Sequence, residues 1–102
     1  MNTSILPTYN RAPLAFERGK GSWLFTKNGE GYLDMGAGIA VNALGHSNSE
    51  LVDALTSQAN KLWHVSNLYE IPEQQRLAKL MVDTTFADNV FFTNSGTESC
   101  EL

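Results

Sequence analysis

The sequence predicts an α/β fold: an antiparallel hairpin segment, then helices that lead into the start of a mainly parallel sheet. Three observations predict it. Aromatic-rich runs flank an Asn-Gly pair, two amphipathic helical patterns fill the middle, and a continuous apolar run precedes a Ser-Gly-Thr-Glu turn near the last residue.

Residues 1–15 mix Asn2, Pro7, Asn10, Arg11 and Pro13 with few periodic apolar positions, and read as an extended arm. Trp23-Leu24-Phe25-Thr26 and Tyr32-Leu33-Asp34-Met35 then flank Lys27-Asn28-Gly29-Glu30, with Gly19 and Gly21 punctuating the approach. Asn and Gly both tolerate the positive φ of a tight turn, so this pattern predicts a hairpin. The small-residue stretch Gly36-Ala37-Gly38-Ile39-Ala40-Val41 lets backbone pass close to a ligand or to a packed neighbour, and packing is the simpler reading.

Ser47-Asn48-Ser49-Glu50 fits a capping box, with Ser47 as cap and Glu50 three residues on. Leu51, Leu55, Ala59 and Leu62 recur at near-helical spacing, which predicts an amphipathic helix over 49–63. A break at His64-Val65-Ser66-Asn67 precedes a second helix. Pro72 suits its first turn, where a missing N–H costs nothing, and Leu77, Leu80, Met81 and Thr84 mark its inner face. Val90-Phe91-Phe92 is apolar without alternation, as in a strand buried on both faces of a parallel sheet. No earlier segment offers it a parallel partner, and the helix from Thr97 would run only about six residues, so the chain reads as a fragment.

Composition narrows the function classes. The 102 residues are 42% hydrophobic and 18% charged, as in globular rather than disordered or collagen-like chains. A net charge of −4, with seven scattered Lys and Arg, gives a nucleic-acid backbone no stripe to follow. No basic amphipathic helix or 18-residue apolar run suggests a membrane. With Cys100 as the only cysteine and no secretory leader at residues 1–11, a cytoplasmic location is expected.

The chemistry is concentrated at Asn94-Ser95-Gly96-Thr97-Glu98, between the apolar run and the last helix. A helix start offers free backbone N–H groups at the positive end of a dipole, and Gly96 has no Cβ to obstruct an approaching anion. Ser95 and Thr97 add hydroxyls. The same residues also satisfy a capping box, Ser95 with Glu98, so a purely structural turn stands beside the phosphate reading. No Gly-Lys-Ser/Thr and no Gly-x-Gly-x-x-Gly occurs, which disfavours ATP and dinucleotides.

Four ordered motifs extend this reading: Tyr32-Leu33-Asp34-Met35, Gly38-Ile39-Ala40-Val41-Asn42-Ala43-Leu44-Gly45-His46, Leu62-Trp63-His64-Val65-Ser66-Asn67-Leu68-Tyr69 and Phe91-Phe92-Thr93-Asn94-Ser95-Gly96-Thr97-Glu98. Together, from about Pro7 onward, the sequence resembles the class III aminotransferases, fold type I enzymes that use pyridoxal 5'-phosphate, and most of all their acetylornithine branch. The resemblance implies that Ser95, Gly96 and Thr97 hold the cofactor phosphate, and that Ile39 and Tyr69 line the substrate pocket. It implies a division into 1–46, arm and hairpin of the small domain, and 47–102, the truncated beginning of the large cofactor domain. It implies transfer of an amino group from N-acetylornithine to 2-oxoglutarate in arginine biosynthesis, by a homodimer. Ornithine, succinylornithine and 4-aminobutyrate enzymes, or a non-catalytic phosphate-binding remnant, are the alternatives. Asn48-Ser49 stands where relatives often carry His-Pro, and Ser99-Cys100 where they carry Ala and a small residue.

The family's Schiff-base lysine has no counterpart here, since Lys20, Lys27, Lys61 and Lys79 fall in loops or on helix faces. No residue of this stretch is expected to be catalytic, and the 102 residues alone are expected to be inactive. No metal site is expected either: His46, Glu50 and His64 lack ligand spacing, and His46 reads as a helix-entry residue. Cys100 has no base partner, Trp23 and Trp63 read as core or interface anchors, and Asp34 as a buried acceptor at a strand end.

Overall fold

The computed structural model describes residues 4–102, which divide into two compact units, one ending at Trp63 and one spanning His64–Leu102. The first unit contains a three-stranded antiparallel meander, β1 (Phe16–Lys20), β2 (Trp23–Thr26) and β3 (Gly31–Leu33), in that spatial order. The predicted hairpin is β2–β3, with Trp23 opposite Leu33 and Phe25 opposite Gly31. Its loop closes with Thr26 N–H donating to Glu30 O at 3.0 Å, and Gly29 takes φ +87°, a left-handed value glycine adopts without strain.

The first strand escaped the sequence reading. Phe-Glu-Arg-Gly-Lys shows no apolar alternation, yet Lys20 pairs with Trp23 and Gly19 with Leu24. Cross-strand contacts supply what the pattern lacks. The Arg18 guanidinium lies 3.9 Å from the centre of the Phe25 ring, and Phe16 meets Tyr32 edge to face at 5.6 Å.

After β3, residues 34–46 leave the sheet and return to it. They contain a short helical turn, α1 (Ala37–Ala40), whose hand is unusual. Ala37, Gly38, Ile39 and Ala40 take φ of +45°, +64°, +63° and +61°, a left-handed turn. Such backbone costs roughly 1–2 kcal/mol per non-glycine residue, and a β-branched isoleucine is an outlier there.

Helix α2 (Ser49–Ala59) corrects two expectations. Its cap is Asn48, whose Oδ1 accepts from Leu51 N–H at 3.3 Å, rather than Ser47, which sits at φ +53° outside the capping geometry. It also stops at Ala59 instead of 63. Beyond it Lys61 and Leu62 N–H both turn to Gln58 O, Asn60 Nδ2 joins its own N–H on Thr56 O, and Trp63 Nε1 takes Ala59 O, an acceptor another turn would need.

In the second unit, α3 (Pro72–Thr84) begins at Pro72 as expected and ends where the Thr84 and Thr85 hydroxyls bond back to Leu80 O and Met81 O. The expected buried strand at Val90–Phe92 is not formed. A parallel strand needs a neighbour for its N–H and C=O groups, and among the described residues there is none; Phe91 is left 76% exposed. The last element is α4 (Gly96–Glu101).

No described residue is fully buried, and within each unit no helix packs closely on another named element. The faces predicted to point inward, Leu51 and Leu55 on α2 and Leu77 and Leu80 on α3, are exposed. Among the described residues no other element covers these apolar faces. Among the described residues no helix is long and apolar enough to cross a membrane.

Candidate functional site

In the second unit, the turn leading into α4 is built from Thr93 to Ser99. Ser95 is the cap, in extended conformation, and its Oγ accepts from Glu98 N–H at 3.2 Å while donating to Glu98 Oε2 at 3.0 Å. The Ser95 carbonyl accepts from Thr93 Oγ1, Ser99 Oγ and Ser99 N–H. The turn's shape is thus fixed by hydroxyl and carbonyl groups on its inner side. On its outer side, the N–H groups of Ser95, Gly96 and Thr97 find no acceptor among the described residues.

A Cβ built on Gly96 would meet nothing within 4 Å. Neither packing nor positive φ requires glycine here, and glycine in a helix costs about 0.5–1 kcal/mol relative to alanine. The open approach and the three free donors fit an anionic group such as a phosphate. The Ser95 hydroxyl, by contrast, is committed to Glu98, so Ser95 offers such a group its backbone N–H.

Thr97 also lines an open cavity of about 500 Å³, with Asn67, Phe91, Phe92, Thr93 and Asn94 among its walls. Tyr69 lines an adjoining groove that shares Asn67, Phe91 and Phe92. The predicted phosphate turn and the predicted substrate-wall tyrosine therefore border neighbouring depressions in one unit. Ile39 belongs to the first unit, at the crest of the left-handed turn and 95% exposed.

The loop carrying Ile39 has its own internal chemistry. Asp34 is the expected acceptor at a strand end, half-buried rather than buried. Its Oδ1 receives Gly36 N–H at 3.1 Å and Ala37 N–H at 2.9 Å, and its Oδ2 receives His46 Nε2 at 2.6 Å. These bonds, from His46 foremost and then the Ala37 and Gly36 amides, hold the Asp34 carboxyl below the usual carboxylate range. His46 is more than a helix-entry residue, because its backbone exchanges two hydrogen bonds with Gly21, at 2.9 and 2.8 Å. Gly19 and Gly45 make room for this docking: a Cβ on Gly19 would lie 2.6 Å from His46 Cβ, and one on Gly45 3.0 Å from Gly21. The available signal was a strand-end aspartate twelve residues before a Gly-His pair, with glycines opposite.

Comparison with known proteins decides the family. Residues 5–102 match the model of the family described as "Aminotransferase class-III". The chain belongs to the class III aminotransferases. It is 72% identical over 102 residues to an acetylornithine aminotransferase of Rhodobacter capsulatus, and 61% identical over 97 residues to one of Agrobacterium fabrum. It covers all of itself but 26% of the first protein, and 95% of itself but 24% of the second, so it spans about a quarter of their length.

Among solved structures, the N-acetylornithine aminotransferase of Stenotrophomonas maltophilia superposes with a TM-score of 0.83 at 40% identity, over 93% of this chain and 26% of that one. The ornithine aminotransferase of Toxoplasma gondii superposes at 0.89 and 26% identity, over 96% of this chain and 23% of that one. The fold is accordingly the N-terminal part of a fold type I aminotransferase. Its sheet within the described residues is the small antiparallel one.

Of the four lysines, Lys79 donates to both Asp83 carboxylate oxygens on the surface of α3, at 2.9 and 2.7 Å. Lys20, Lys27 and Lys61 are exposed.

Proposed function

We propose that this chain is the part of an acetylornithine aminotransferase that grips the cofactor phosphate and contributes substrate-pocket wall. The observation carrying the proposal is the Ser95–Thr97 turn, whose three N–H groups have no acceptor among the described residues and flank a glycine that no described neighbour requires. When bound, pyridoxal 5'-phosphate supplies an electron sink for amino-group transfer. The chain's own part is to bind and orient: Ser95, Gly96 and Thr97 donate to the phosphate, while Ile39 and Tyr69 shape the space for the donor. Residues 1–46 are assigned to the small domain and 47–102 to the large one.

N-Acetylornithine as donor is favoured over ornithine by sequence rather than fold. The ornithine enzyme superposes at least as well, but identity falls from 40% to 26%, while relatives named acetylornithine aminotransferase reach 72%. Transfer to 2-oxoglutarate within arginine biosynthesis, by a cytoplasmic homodimer, completes the reading. The 102 residues alone carry no catalysis on this reading.

The test is transamination by the full-length protein, with N-acetylornithine, ornithine and 4-aminobutyrate offered separately against 2-oxoglutarate. The highest kcat/KM is expected for N-acetylornithine. A preference for either of the other amines would overturn the donor assignment.

A further inference from the structure

The left-handed turn at 37–40 is held in a conformation that its residues would not choose. Ile39 stands at φ +63° and is 95% exposed, so no packing in its own unit accounts for the strain. What over-determines the turn is a set of local bonds. Gly36 O accepts from Ile39 N–H at 2.8 Å and Ala40 N–H at 3.0 Å, and Ala37 O accepts from Val41 and Asn42 N–H at 2.9 Å. Before them stands Asp34 Oδ1, gripping Gly36 and Ala37 N–H and so setting the direction in which the turn starts.

Asp34 is itself fixed at both ends. Its backbone N–H donates to Ser22 O at 2.8 Å beside the sheet, and its other carboxylate oxygen receives His46, which is docked on Gly21. The loop is thereby closed by one carboxylate and one imidazole, 12 residues apart in sequence. An apolar, β-branched side chain held outward on strained backbone by a dedicated clamp indicates a surface that meets something else.

We propose that Asp34 and His46 are positioning residues for the amino donor: their hydrogen bond locks the left-handed turn that presents Ile39 to the substrate. This rests on the reading of Ile39 as pocket wall. Asp34 touches no substrate; it acts through the Gly36 and Ala37 amides.

The test uses the full-length enzyme and a double-mutant cycle read by KM for N-acetylornithine, kcat, and the dissociation constant of pyridoxal 5'-phosphate. Ile39→Ala and Asp34→Ala are each expected to raise the donor KM about tenfold, as trimming a pocket wall does. The cofactor constant should stay within about twofold, because the phosphate turn is untouched. The double variant should be no worse than Ile39→Ala, since a released turn no longer presents residue 39. Asp34→Asn keeps an oxygen for both amides and a donor for the His46 ring, so it should restore KM to within about threefold of wild type. If Asp34→Ala fails to fold, His46→Ala takes its place in the cycle, with the same non-additivity expected.

A donor KM unchanged by Asp34→Ala beside a raised one for Ile39→Ala would overturn the positioning role alone, as would effects that multiply in the double variant. An Ile39→Ala enzyme with wild-type KM would overturn the pocket assignment beneath it. A wild-type protein that binds no cofactor would overturn the proposed function itself.

Discussion

The two loops of interest treat their polar groups in opposite ways. Between Asp34 and His46, amide donors at the start of the turn are consumed internally, by a carboxylate and by carbonyls of the loop. Between Ser95 and Glu98, hydroxyls and a carbonyl fix the shape while the outward N–H groups of Ser95, Gly96 and Thr97 remain free. The glycines differ in the same sense. Gly19 and Gly45 are needed because a Cβ would strike the chain itself, whereas at Gly96 a Cβ strikes nothing. The closed loop spends its bonds on its own conformation; the open turn leaves three donors without an acceptor among the described residues. Variants of the first should therefore read out in stability and substrate geometry, and variants of the second in cofactor affinity.

The largest separation is expected from Gly96→Val in the full-length enzyme. A branched side chain over the free N–H groups should weaken pyridoxal 5'-phosphate binding by a few kcal/mol, since charge-assisted hydrogen bonds contribute about 1.5–3 kcal/mol each. Titration of the apo-enzyme measures it. In the closed loop, Gly19→Ala places a methyl group against His46, which Gly21 pins from both sides. Overpacking of that kind costs about 1–3 kcal/mol, and should appear as a lower denaturation midpoint.

Thr97→Ala removes a hydroxyl and keeps the backbone donor, so its effect on cofactor affinity should be about 1 kcal/mol, smaller than that of Gly96→Val. Acid sensitivity is the finest comparison. The Asp34 carboxyl is held below its ordinary range, so the ionised form favours the folded chain. That contribution is fully present above about pH 4 and fades as pH falls through the lowered value. Wild type and Asp34→Asn should accordingly differ in urea midpoint at neutral pH and converge in acid. A difference that grew below pH 4 would contradict this sign.

How much of this was legible in the sequence follows from how local each cause is. The Asn28-Gly29 hairpin, the Pro72 helix start and the Ser95–Glu98 cap are written in adjacent residues, and all three are present. Strand β1 was hidden because Arg18 and Phe16 are stabilised by residues across the sheet, Phe25 and Tyr32, rather than by their own alternation. The left-handed turn was hidden because Asp34 signals a turn but not its hand, and its partner His46 lies twelve residues away. Val90–Phe92 reads as a strand by composition and forms none, since no segment among the described residues pairs with it. The Ser95–Glu98 turn was legible as a pattern, but not that the Ser95 hydroxyl donates to the Glu98 carboxylate.

The most direct measurement is the dissociation constant of pyridoxal 5'-phosphate from the full-length protein in three forms: wild type, Gly19→Ala and Gly96→Val. The open turn and the closed loop are expected to part company here. Affinity should be unchanged in Gly19→Ala, despite its lower stability, and reduced about tenfold or more in Gly96→Val, as loss of one or two charge-assisted hydrogen bonds requires. Equal constants in wild type and Gly96→Val would contradict the assignment of the cofactor phosphate to Ser95, Gly96 and Thr97.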